Sequence, residues 1–107
     1  MEVVYATYFE DASIAAGCRA TEIASGRRTA ELYADPETSH QIDVQLIKST
    51  ANRGPFRPWM RLKAPAASVR VIAEIDGDTL VVHAILPRWA ETYDEVVELW
   101  KIHRTRI

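Results

Sequence analysis

The sequence predicts an α+β domain: an antiparallel sheet of about four strands, two N-terminal helices packed on one of its faces, and a C-terminal helix. Three observations point there. Short runs rich in Val, Ile and aromatic residues recur at strand length, several of them alternating apolar with polar side chains. The last two runs are joined by Asp76-Gly77-Asp78, a hairpin signal. An Ala-rich stretch follows the first run and an amphipathic one closes the chain, both with helical character.

"EVVYATYF" (2–9) is the opening strand, and Asp11 or Ser13 is the expected N-cap of the first helix. The Ala-rich run extends to about Tyr33 and carries Ile14, Cys18 and Ile23, while "SGRR" marks the expected turn between two helices. In "ADPETS" the second helix stops, because the residue before Pro36 disfavours helical geometry. "HQIDVQLIKST" is read as a strand from the alternation of Ile42, Val44 and Leu46, although its spacing also suits a short helix. "ANRGPFRP" is a loop. Strands follow at 58–63, 68–75 and 79–86. "ETYDEVVELWKIHRTRI" then forms a helix with Tyr93, Val96, Val97 and Trp100 on one side.

At 107 residues, with 48% hydrophobic and 26% charged content, the chain fits one globular domain over 1–107 rather than a disordered segment. A formal charge of −2 argues against a protein that coats nucleic acid by bulk charge. Any polyanion site has to come from local clustering of the 13 Lys and Arg residues. The single cysteine, Cys18, leaves no internal disulfide and is read as a small buried thiol. His40, His83 and His103 lack metal-ligand spacing, so neither a metal nor a cofactor is expected. No basic lead and apolar run opens the chain, and nothing approaches the ~20 apolar residues of a membrane span. A cytoplasmic protein without membrane contact is expected.

Side chains alternate across a strand, so Trp59, Arg61 and Lys63 share one face while Met60 and Leu62 share the other. On the next strand Arg70, Ile72 and Glu74 oppose Val69, Val71, Ala73 and Ile75. On the last, Val81, His83 and Ile85 oppose Leu80, Val82, Ala84 and Leu86. With the apolar sets turned to the helices, Trp59, Arg61, Lys63, Arg70 and His83 gather on the open face. Arg57 precedes that row, Arg88 follows the last strand, and Tyr93 starts the closing helix. Such a group suits a phosphate backbone with stacked bases, since guanidinium forks pair with phosphate and exposed rings stack on unpaired bases. It also suits RNA cleavage by 2′-hydroxyl attack, where cations stabilise charge and a Tyr, Lys or His moves protons. A solvated sheet face carrying ordinary Arg and Lys accounts for the alternation as well.

The element order and the text "WMRLKAPAASVRVIAEIDGDTLVVHAIL" resemble the RelE/ParE superfamily of small bacterial toxins, in particular its RelE/HigB-like branch. The match is strongest over residues 56–96, in "VRVIAEIDGD" and "VVHAIL". The resemblance implies the toxin of a type II toxin–antitoxin pair, a metal-independent endoribonuclease that cuts mRNA during translation and arrests growth. By position it implies Arg61, Lys63, Arg70, Arg88 and Tyr93 as the catalytic set, while Trp59, Arg57 and His83 are expected to bind RNA from their place beside that set. Arg61 stands where Lys would be the better base, since Arg stays protonated. The implied partners are a cognate antitoxin, mRNA and the ribosome. A gyrase-directed toxin and a non-catalytic binding module or inactivated relative are the rival readings.

Overall fold

The computed structural model describes residues 1–90 and 92–107 and is an α+β domain. In chain order its elements are β1 (Glu2–Tyr5), α1 (Phe9–Ala15), α2 (Ala20–Ala34), β2 (Asp43–Leu46), β3 (Met60–Lys63), β4 (Val69–Asp76), β5 (Thr79–Pro87) and α3 (Asp94–His103). The sheet has five strands in the order β1-β5-β4-β3-β2. It is mixed rather than purely antiparallel, because β1 runs parallel to β5. The segment left ambiguous by its spacing is a strand, β2, with one 3₁₀ turn on each side.

The N-terminal boundaries differ from the reading of the sequence. β1 stops at Tyr5, and Tyr8 rather than Asp11 or Ser13 occupies the N-cap of α1. Ser13 lies inside α1, where its hydroxyl donates to the Phe9 carbonyl and accepts the Ile85 N–H. That bond explains the placement of α1. β1 covers β5 only as far as Val82, and α1 lies along the edge of β5 beyond it. The helix break falls at Gly17, which has φ +101° and supplies the left-handed residue that ends many helices. "SGRR" is therefore inside α2, and Gly26 is a packing residue: a Cβ there would lie 2.2 Å from Ile85 Cδ1. Absence of a side chain at Gly26 lets α2 sit directly on the sheet. Cys18, in the link between α1 and α2, is buried as expected and donates its thiol to the Ile85 carbonyl at 3.3 Å.

The register of β4 and β5 slips between Ile72↔Ala84 and Ala73↔Val82, leaving His83 as the extra residue of a β-bulge. The bulge flips the alternation of β5. Leu80 and Val82 share the α2 face with Ile85, whereas Leu86 lies on the opposite face. One core joins Phe9, Ile23, Ala30, Leu62, Val71 and Ile85 under α2. A second joins Ile47, Trp59, Ile72 and Leu86 with Val96 and Trp100 of α3. So α3 covers the centre of the face expected to be open. Glu91, the first residue of the expected closing helix, lies outside the described residues. The helix ends at His103, and the tail runs back antiparallel to the segment before β3, with a Phe56↔Arg106 bridge and an Arg57 N–H to Thr105 carbonyl bond of 3.0 Å.

Candidate functional site

The α3 face divides into two regions, a buried polar chain and a cationic cleft. The expected row of exposed rings and cations does not exist as one surface. Trp59 is 0% exposed, with its ring stacked 3.7 Å from that of His83, which is itself only 3% exposed. Neither can stack on a base, because α3 and the tail roof this part of the sheet with Trp100 and Thr105. Arg57 is also engaged internally. Its guanidinium meets Asp76 at 3.1 Å and the Thr105 hydroxyl at 3.2 Å, and its carbonyl accepts the Trp100 indole N–H.

His83 is the middle of a hydrogen-bonded chain. Its Nε2 meets Glu74 Oε1 at 2.8 Å, and its Nδ1 meets the Tyr8 hydroxyl. The Thr105 hydroxyl donates to the other Glu74 oxygen at 2.9 Å, and the His103 ring stacks on Tyr8 at 3.9 Å. Burial opposes ionisation of Glu74, yet bonds from His83 and Thr105, with the charges of His83 and Arg57, bring its carboxyl below the usual range. Burial lowers the His83 pKa, outweighing the bond and charge of Glu74 that act upward. A neutral His83 cannot lend Glu74 its charge, so at neutral pH the hydrogen bonds and Arg57 hold the carboxylate. The consistent arrangement is Tyr8 O–H donating to Nδ1 and Nε2–H donating to the carboxylate. Burial, followed by the Glu74 charge, pushes the Tyr8 phenol up to about 12, so it stays protonated.

The cations lie toward the other end of the face. A cleft of about 260 Å³ opens between β2, the 3₁₀ turn after it, and the start of α3. Arg61 and Tyr93 both line it, with Gln45, Lys48, Asp94 and Val97. Arg61 and Arg70 share this face on adjacent strands, since Arg61 pairs with Ile72 and Arg70 stands two residues along β4. Lys63 belongs to the same row of β3 and is half-buried, while Arg88 is exposed and its N–H bonds the Ser68 carbonyl. Thus Arg61 and Tyr93 come together, Arg70 and Lys63 flank them on the strands, and Arg88 stays at the surface beyond the strand end.

Two of these cations have internal partners that alternation could not reveal. Arg61 forms an ion pair with Asp43, and Arg70 donates to the Ala90 carbonyl at 2.8 Å. Because Asp43 is 69% exposed, that ion pair contributes only about 0–1 kcal/mol and is readily exchanged for another anion. The Nε donors of Arg61 and Arg70 are buried with no hydrogen-bond partner among the described residues. Lys48 joins the cleft from the 3₁₀ turn after β2, although "HQIDVQLIKST" is read as a strand through it. Alternation in "IDVQLI" sets Asp43 on the face of Gln45 and Ile47 but does not say that it meets Arg61.

No protein-family model matches the sequence, and no curated protein is significantly similar to it. Among solved structures the fold resembles a chain of the RelB–RelE antitoxin–toxin complex from Methanococcus jannaschii. The TM-score is 0.51 with 16% sequence identity, over 79% of this chain and 89% of that one. At that identity the likeness is one of fold. No helix among the described residues is long and apolar enough to cross a membrane, and none of their His, Cys, Asp and Glu side chains form a metal-holding cluster.

Proposed function

We propose that this chain is a RelE-like toxin of a toxin–antitoxin pair, and that the cleft between β2, β3 and α3 binds single-stranded RNA and cleaves it. The observation that carries the reading is the meeting of Arg61 and Tyr93 in one cleft, with Arg70 and Lys63 beside it on the same sheet face. The fold likeness to a chain of a RelB–RelE complex supports it. In the reaction the ribose 2′-oxygen attacks the adjacent phosphorus and the 5′-oxygen departs, giving a 2′,3′-cyclic phosphate and a 5′-hydroxyl. Arg61 and Arg70 stabilise the negative charge that gathers on the non-bridging oxygens. Lys63 accepts the 2′ proton or adds to that charge stabilisation, and the Tyr93 phenol hands a proton to the departing oxygen. Asp43 gives up Arg61 to the phosphate, an exchange that costs little at an exposed carboxylate. Arg88 steers the strand toward the cleft. Trp59 and His83 make no contact with RNA and serve the core, and Arg57 ties the tail to the sheet.

The partner protein is an antitoxin with an acidic amphipathic segment that covers the cleft and folds on binding. One observation favours a second reading, a non-catalytic binding relative: Asp43 and the Ala90 carbonyl already occupy Arg61 and Arg70. Tightly controlled expression in bacteria separates the two. The toxin reading expects growth arrest, relieved by Arg61→Ala, by Tyr93→Phe and by coexpression of the antitoxin. Absence of arrest favours the binding relative. Arrest that survives both substitutions and raises the DNA-damage response points to a gyrase-type target.

A further inference from the structure

The edge strand β2 has the features of an unfilled strand-pairing site. All four of its residues are exposed, and it carries no proline, lysine or bulge of the kind that usually blocks an edge. Its backbone polarity follows from one bond: the Ile47 N–H donates to the Trp59 carbonyl at 3.0 Å, in line with the Gln45↔Arg61 register. Antiparallel ladders alternate, so Asp43, Gln45 and Ile47 direct their amide groups at β3, and Val44 and Leu46 direct theirs outward. No bond to those outward groups is formed among the described residues. The side chains of the same two residues are unusually bare for their type, Val44 at 42% and Leu46 at 53% exposure.

We propose that β2 pairs with β2 of a second copy, antiparallel about a two-fold axis through Gln45, and that this pairing joins two clefts into one trough. The choice of a second copy rests on self-complementarity. An axis at Gln45 sets Val44 opposite the second copy's Leu46, and the reverse. Both pairs then bond through outward amides, and four apolar side chains meet over Leu62 and Met60. The neighbouring register, centred on Val44, needs the Ile42 N–H, which already donates to the Ser39 carbonyl. Asp43 faces Ile47 of the second copy, so no like charges meet. A four-residue edge buries less area than a stable interface of about 1,200 Å² or more, so the dimer is weak and concentration-dependent.

A two-fold axis perpendicular to the sheet leaves both α3 faces on the same side. Gln45 lines the cleft and neighbours Arg61, so the row reads Arg61, Gln45, Gln45, Arg61 across the axis. Three strand spacings put the two Arg61 backbones about 14 Å apart. An RNA strand of several nucleotides reaches both. The trough rests on the RNA reading above, but the dimer does not.

Sedimentation without RNA, from roughly 1 μM to 1 mM protein, tests the pairing. Wild type moves from monomer to dimer, and Val44→Lys weakens the association at least about tenfold by burying a charge at the seam. In the non-bonded pair on the axis the Cα atoms lie about 4.5 Å apart, within disulfide reach. Gln45→Cys therefore forms a covalent dimer on mild oxidation, while Asp43→Cys, displaced along the strand, does not. Wild type that stays monomeric to 1 mM, a Val44→Lys protein that dimerises equally, or equal crosslinking at position 43 overturns the pairing. For the trough, Val44→Lys shortens the RNA length needed for full affinity. Identical length dependence overturns the trough, and dimerisation with no RNA binding by either protein overturns the RNA reading while leaving the pairing intact.

Discussion

Replacing Glu74 separates the structural role of the buried polar chain from a merely decorative one. Glu74 is 2% exposed, and its two oxygens accept from His83 Nε2 and Thr105 Oγ1. Glu74→Ala strands the His83 donor in the core and releases the Thr105 hydroxyl, which belongs to an exposed residue. The unsatisfied imidazole donor costs roughly 1–3 kcal/mol, and the lost bond from Thr105 to the carboxylate about 1.5–3 kcal/mol more. For a domain of this size each kcal/mol lowers the melting temperature by about 4–8 °C, so the loss is at least about 10 °C. Glu74→Gln behaves differently. Its amide oxygen still accepts from Thr105, and its NH₂ donates to His83 once the imidazole changes tautomer and bonds the Tyr8 oxygen through Nδ1–H. Only the charge-assisted share of two bonds is lost, about 1–2 kcal/mol. Thermal and urea unfolding followed by circular dichroism measure both variants. If Glu74→Ala melts within about 2 °C of wild type, or no more than Gln lowers it, the chain does not hold the tail and sheet together.

Other expectations concern pH and packing. His83 is buried neutral with a lowered pKa, so below its ordinary value of 6.5 the unfolded chain takes up a proton that the folded one refuses, and stability falls as pH drops. Glu74, whose folded pKa lies below 4.5, adds a second loss of the same sign in stronger acid. His83→Gln removes the first phase from a stability–pH curve and leaves the second. Trp59→Ala costs about 3–5 kcal/mol in urea unfolding, as for a core aromatic, where an exposed Trp would lose almost nothing. Gly26→Ala drives a methyl into Ile85 and destabilises by about 1–3 kcal/mol, and Ile85→Val in the same chain recovers part of it in a double-mutant cycle. Arg70→Ala releases the Ala90 carbonyl and speeds amide exchange in the segment after β5, while leaving exchange in α2 unchanged.

Alternation and turn chemistry made much of the fold legible. The hairpin at Gly77 and the stop before Pro36 follow from local physics that tertiary packing does not override, whereas the spacing at 43–46 suited both a strand and a short helix until β3 paired with it. The failures trace to contacts with distant residues. Gly26 reads as a helix breaker until Ile85 is seen pressing on its Cα. The bulge at His83 has no signature in "LVVHAIL", yet it decides which face Ile85 and Leu86 take. Trp59 in a row with Arg61 and Lys63 looked like a binding surface because period-two spacing says nothing about what covers a face. Here α3 covers one end of the row and leaves the other, so Trp59 is core while Arg61 lines a cleft. Glu74 and His83 were placed on one face by alternation, but Tyr8 and Thr105 reach them from the two ends of the chain.

The RNA-cleft reading is tested most directly by mapping RNA ends in a bacterial translation extract supplied with the purified protein and a defined mRNA. Wild type is expected to generate new fragments ending in 2′,3′-cyclic phosphate with matching 5′-hydroxyl ends. Arg61→Ala and Tyr93→Phe are expected to lose this product by at least about a hundredfold, the scale of removing a transition-state donor or a general acid. Intact mRNA with wild type, or cleavage undiminished in both variants, contradicts the assignment of this cleft as the reacting site.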